Sequence, residues 1–141
     1  MHQHFVLILT PYGVSIEGLE ACLQGLKDFQ IGFSVRAVSP EGAPDHLLQI
    51  LEQFHQGADD LIYCWECEGS MELTRYVAAR TERPVLTLSA GDRAAIPLGL
   101  KILACKDPLL REELRRQRLS LAVHVLEADR QLIKAYQIGE S

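Results

Sequence analysis

The stretch FVLILTPYGVSIEGLEACLQGL, residues 5–26, changes its periodicity halfway along. Its first five residues, Phe5 to Leu9, form an unbroken apolar run. That run is too short for a helix and is bounded by Pro11 and Gly13, the pattern of a strand buried on both faces. From Ser15 onward the period becomes helical. Ser15 offers a side-chain cap, Ile16, Leu19, Leu23 and Leu26 share one stripe, and Glu17 and Glu20 suit the early turns. Gly18 weakens this helix only mildly. The unit reads as strand followed by helix.

The same unit recurs. Phe33 to Val38 repeats the strand signal, and Leu47, Leu48, Ile50, Leu51 and Phe54 repeat the helical one behind Pro44, a residue suited to a first turn. Asp60–Trp65 and Pro84–Leu88 read as two further strands, with a helix from about Met71 to Arg80 between them. Four strand–helix alternations in one short chain imply a parallel sheet with right-handed crossovers and helices on both faces. The last third differs. Ile96–Cys105 is apolar and helical, and Lys106–Lys134 carries a long helical pattern without a partner strand. In it Pro108 opens the first turn, and Leu110, Leu114, Leu121, Val125 and Leu126 share a stripe. A helix of that length beyond a small core suits packing against a second subunit.

Length and composition set the outer limits. A chain of 141 residues, 48% hydrophobic and 23% charged, is one domain's worth of soluble protein, with a core over 5–105 and a helical extension over 106–136. No apolar run approaches the roughly 18 residues of a membrane helix. Net charge of −5 argues against nucleic acid, since the basic cluster Arg111–Arg118 is interleaved with Glu112 and Glu113. Met1-His-Gln-His4 lacks the features of a signal peptide, so a cytoplasmic protein with reduced thiols is expected. His2 and His4 are expected to be disordered, and His46 to be exposed near a helix start.

In a parallel sheet of this kind ligands bind beyond the carboxyl ends of the strands, where strand order reverses. Those ends are 10–15, 39–45, 64–70 and 89–93, which makes Thr10, Tyr12, Gly13, Ser39, Gly42, Cys64, Trp65, Glu66, Cys67, Gly69 and Ser70 the candidate ligand-binding residues. Glu41, Glu66 and Glu68 can converge on one cleft, where a carboxylate with a raised pKa serves as an acid/base; Glu41 is the catalytic candidate. Tyr12 and Trp65 offer rings for stacking on a planar ligand. Cys64-x-x-Cys67 admits three readings. A redox pair also sits between strand and helix, but the thioredoxin arrangement expects another element order and a facing cis-proline. A metal site needs three or four ligands, and only these two are close in sequence, so neither metal nor cofactor is expected. The plainest reading is two thiols filling space beside Trp65. A receiver domain is excluded, because no acidic pair follows the first strand and no aspartate ends the third.

The framework resembles the class I aminoimidazole ribonucleotide (AIR) carboxylase and carboxyaminoimidazole ribonucleotide mutase family of purine biosynthesis. The resemblance runs from Phe5 to about Leu132. It is carried by Val35-Arg-Ala-Val-Ser39 with Pro44-Asp45 and Leu47, by Gly57-Ala-Asp-Asp-Leu-Ile62, by Tyr76-Val-Ala-Ala-Arg80 with Arg83-Pro-Val-Leu86, and by Leu98-Gly-Leu-Lys-Ile-Leu-Ala104 leading to Asp107. It implies a three-layer, flavodoxin-like α/β sheet with a long C-terminal helix, and a homo-oligomer, in the family an octamer. The working loops depart from the family pattern. Where the family has Gly-Ser-x-Ser-Asp, this chain has Thr10-Pro-Tyr-Gly-Val14. Where it has Ser-Ala-His-Arg-Thr-Pro, this chain keeps Ser39 and Pro44 but carries Glu41 at the histidine position and Gly42 at the arginine position. Cys64–Ser70 replaces a Gly/Ala-rich loop ending in His-Leu-Pro-Gly, and the segment after the fourth strand is cut to Ser89–Arg93, which implies a shallower pocket. Two functions follow as expectations: a scaffold or small-molecule binder without the standard activity, or an active carboxylase/mutase with Glu41 as proton carrier and phosphate held by helix-start amides and Arg93.

Overall fold

The computed structural model describes residues 4–56 and 61–137, with side chains placed through Phe54 in the first span. Four strands, β1 (Phe5–Pro11), β2 (Gly32–Val38), β3 (Leu61–Trp65) and β4 (Val85–Leu88), form one sheet in the order β2-β1-β3-β4. All three pairings are parallel. The helices are α1 (Leu19–Asp28), α2 (Pro44–Gln56), α3 (Glu72–Ala78), α4 (Ala95–Ala104) and α5 (Pro108–Tyr136). This is a flavodoxin-like α/β arrangement with a long terminal helix: the parallel sheet between helices follows from the alternating periodicity, and the flavodoxin-like form is the one that the resemblance implies.

Because successive side chains on a strand point to opposite faces, the central strands feed two cores. Val6, Ile8, Leu61, Tyr63, Trp65 and Leu88 pack with α1, α4 and the start of α5. Leu7, Leu9, Val38, Ile62 and Cys64 pack with α2 and α3. Every residue of β3 is buried, which is why its sequence is apolar without alternation. Tyr63 is the largest fully buried side chain. Its hydroxyl donates to the carbonyls of Ala95 at 2.7 Å and Ile96 at 3.3 Å, while Gly99 leaves room for the ring.

Two expectations are corrected. The first helix starts at Leu19, not beside Ser15, and Ile16 is exposed rather than part of the buried stripe. Gly18 is the cause: it has φ +92°, and an added Cβ would lie 3.3 Å from the Cβ of Ala90. Ser15 instead closes a local turn, accepting from the Glu17 amide at 3.2 Å. The second correction concerns His4, which is buried and makes a 2.7 Å contact from Nε2 to Asp107 Oδ2. Asp107 is also the N-cap of α5, its Oδ1 accepting from the amides of Leu109 and Leu110. The hydrogen bond from His4 first, helped by those amides, holds the Asp107 carboxyl below its ordinary range. His2 lies outside the described residues, as does Asp60, expected to open the third strand. The stripe on α5 is covered within the chain only at its beginning: Leu110 is buried and Leu114 half-buried, whereas Leu121, Val125 and Leu126 are more than half exposed, and every residue from Arg115 to Gln137 is exposed.

Candidate functional site

From β1 the chain turns to one side of the sheet, and from β3 to the other, so the loops after these two strands part and leave a crevice. A cleft of about 580 Å³ opens there. Pro11, Tyr12 and Val14 form one wall, and Val38, Ser39, Pro40 and Glu41 a second. Glu66, Cys67, Ser70 and the first turns of α3 (Glu72, Leu73 and Tyr76) close the third.

The loop after β2 is pinned by its own hydrogen bonds. Ser39 Oγ accepts from the Gly42 amide at 3.0 Å, and the Ser39 carbonyl accepts from Ala43 at 2.8 Å. A Cβ on Gly42 would come to 3.0 Å from that hydroxyl, so the turn needs glycine for close approach. Glu41 is left exposed at the rim of the cleft. The β1 loop is tied to the same segment by the Tyr12 amide, which donates to the Val38 carbonyl at 2.8 Å. Tyr12 itself is 82% exposed.

Glu66 has a different task. It is 4% exposed, and α3 has no side-chain cap of its own. The Glu66 carboxylate serves instead. Oε1 accepts from the Leu73 amide at 2.7 Å, and Oε2 accepts from the Thr74 hydroxyl at 2.6 Å and the Thr74 amide at 3.4 Å. Thr74 Oγ1 lies 2.8 Å from Thr87 Oγ1, which extends the network to β4. The amides at the start of α3, which would otherwise attract an anion, are thus already satisfied from within. At α4 the same is done by Asp92, which accepts from Ala94 and Ala95.

Of the residues singled out in the sequence, Tyr12, Ser39, Glu41, Glu66, Cys67 and Ser70 come together in the cleft. Gly13 and Gly42 are exposed in the flanking turns, as is Gly69 beside Glu68. Thr10 is buried, its hydroxyl donating to the Arg36 carbonyl at 3.2 Å, so it joins β1 to β2 instead of facing a ligand. Cys64 and Trp65 lie behind the cleft in opposite cores. The Trp65 indole donates to the Ser15 carbonyl at 2.8 Å and props up the loop after β1, so it is not paired with Tyr12 for stacking. Burial, and secondly the Glu66 charge, push the Cys64 thiol well above the usual thiol range, against a weaker opposing hydrogen bond from Thr74. A thiol in that state is a poor nucleophile. Cys67, by contrast, is exposed. Arg93 is exposed and does not line the cleft. Among the described residues no cluster of three or more His, Cys, Asp or Glu could hold a metal ion.

Sequence reading passed over Glu72, Leu73 and Tyr76. The signal was present: residues 72 and 76 are one turn apart on a helix that begins at the mouth of the sheet, so its first exposed face borders the crevice. No lysine, arginine or histidine is among the residues lining the cleft.

Comparison with solved structures now gives the frame. Treponema denticola PurE superposes with a TM-score of 0.71 over 92% of this chain and 99% of its own, at 18% identity. The chain has the fold of PurE. A substituted form of Treponema denticola PurE2 gives 0.70 over 93% and 99%, at 16% identity. PurE stands in the AIR carboxylase family, the family that the framework residues resemble. No family model and no curated protein matches the sequence. The likeness to PurE is thus one of architecture.

Proposed function

We propose that this chain is a divergent relative of the AIR carboxylases, a cytoplasmic protein whose switch-point cleft binds a small molecule but lacks the carboxylase or mutase activity. The observation that carries this reading is the composition of the cleft: three carboxylates, Glu41, Glu66 and Glu72, and no cationic side chain. A ribotide brings a phosphate that must be held by cations or free amides, and each charge-assisted hydrogen bond lost weakens binding by roughly 1.5–3 kcal/mol. The resemblance implies two such losses, at Gly42 and in Thr10–Val14, and Glu66 has taken the amides of α3. Titration of the purified protein with carboxyaminoimidazole ribonucleotide, with ultraviolet absorbance followed for turnover, tests the proposal. No saturable heat and no turnover at millimolar concentration is the expected result; saturable binding overturns it.

The second reading keeps the enzyme, with Glu41 as proton carrier, and is favoured by one observation, that Glu41 does border the cleft. It requires turnover that Glu41→Gln abolishes. In either case we propose that copies of the chain associate through α5, whose apolar residues beyond Leu114 are uncovered. Light scattering is expected to give a homo-oligomer, with the octamer as the arrangement that the resemblance implies, and a monomer would refute it.

A further inference from the structure

The composition of the cleft also bears on what could fill it. We infer that its ligand is a flat organic cation, an amidine or aromatic amine without phosphate; this rests on the reading that the cleft is a small-molecule site. Glu66 is committed to α3, which leaves Glu41 on the β2 loop and Glu72 on the first turn of α3 as exposed carboxylates on two walls. The lining holds no cationic side chain to neutralise them, and carboxylates at a concave, partly apolar site favour a cation. Two phenol rings line the same cleft, Tyr76 on the wall of Glu72 and Tyr12 on the wall formed by the β1 loop. Tyrosine faces attract cations, and planar ones stack best.

The structure contains an internal instance of this contact. The Arg80 guanidinium, which does not line the cleft, lies 3.5 Å from the centroid of the Tyr76 ring and donates to the Tyr76 carbonyl at 2.8 Å. Tyr12 has no such partner among the described ring contacts and stands with most of its surface in solvent at the cleft edge. A flat cation of six to ten heavy atoms fits a space of about 580 Å³ and meets apolar surface from Val14, Val38 and Leu73 beneath the charged rim.

Benzamidinium, benzamide and benzoate share one shape and differ in charge, so their titration against the full-length protein isolates the electrostatic contribution. Benzamidinium is expected to bind saturably at millimolar concentration, at least about tenfold more tightly than benzamide, with benzoate silent. Glu41→Gln with Glu72→Gln should reduce benzamidinium to the affinity of benzamide and leave benzamide unchanged. Both substituted positions are exposed, and an unaltered denaturation midpoint would show that the fold is intact. The inference is overturned if benzamidinium does not bind, if benzoate or inorganic phosphate binds as well, or if the double substitution has no effect. Equal binding of benzamidinium and benzamide with a silent ribotide would remove this inference alone, whereas saturable ribotide binding would remove the reading beneath it as well.

Discussion

Replacing Glu66 by alanine separates the structural carboxylate of the cleft from its two exposed neighbours. The side chain is 4% exposed and accepts three hydrogen bonds, from the Leu73 amide, the Thr74 amide and the Thr74 hydroxyl. Truncation leaves the two amides without their acceptor at the start of a helix whose N-cap residue, Met71, supplies none; Ser70 Oγ reaches only the Glu72 amide, at 3.5 Å. The Thr74 hydroxyl keeps Thr87. A buried donor left unsatisfied costs about 1–3 kcal/mol; the 3.4 Å bond is long and counts for little, and water entering from the cleft offsets part of the rest. The expected loss is therefore about 1–2 kcal/mol, or roughly 3–8 °C in melting temperature for a chain of this size. Glu41→Ala and Glu72→Ala, at exposed positions, should each stay within about 0.5 kcal/mol. Urea denaturation of the three variants, read by circular dichroism, makes the comparison. If Glu66→Ala is as stable as the other two, the assignment of Glu66 to α3 is wrong and the carboxylate returns to the list of candidate acid/base groups.

Asp107→Ala removes the cap of α5 and the partner of His4 together, and the cap and the hydrogen bond are each worth about 1 kcal/mol. Because the folded-state pKa of Asp107 is lowered, its contribution is complete above the ordinary carboxyl range and is lost as pH falls through the lowered value. The stability gap between wild type and variant should therefore close progressively as pH falls below about 4; a gap that widens over that range would contradict this. Iodoacetamide with mass readout should modify Cys67 and Cys105 in the native protein and reach Cys64 only after unfolding, since Cys64 is fully buried with a raised pKa; labelling of Cys64 at the rate of Cys67 would refute the placement. Gly99→Ala drives a methyl group into the Tyr63 hydroxyl and to 2.6 Å from Leu61 Cδ2, so overpacking of about 1–3 kcal/mol should exceed the helical advantage of alanine, about 1 kcal/mol. Tyr63→Phe should restore part of the loss; a stabilised Gly99→Ala would show that the helix–strand contact is looser than described.

The two central strands were legible because burial leaves only apolar residues in Phe5–Leu9 and Leu61–Trp65, a signature that the edge strands, with Ser34, Arg36 and Thr87, do not share. Pro44 and Pro108 marked the starts of α2 and α5 for a local reason, their fixed φ and missing amide. The first helix misled because its stripe through Ile16 agrees with helical spacing, while the contact that stops the helix, Gly18 against Ala90, joins residues 72 positions apart. His4 escaped notice for the same reason, as its partner Asp107 is distant in sequence.

The site divides along the same line. Position at the mouth of the sheet follows from topology, so the loops were identifiable before any contact was known. Direction within a loop is set by alternation along the strand that precedes it. Cys64 and Trp65 are the last two residues of β3, still under the period of two, and so are sent into opposite cores. Glu66 reads in sequence as one of three cleft carboxylates, yet its amide still pairs with Leu88 at 2.9 Å, as though the strand continued, and its side chain turns back onto α3. Only from Cys67 onward is the chain free of the sheet. Two cysteines three apart are thus split by the end of a strand: one belongs to the core and the other to the cleft. The same boundary sets what a substitution meets: up to Glu66 it must satisfy the packing or the hydrogen bonds of the sheet, whereas at the exposed Cys67 it meets only the cleft.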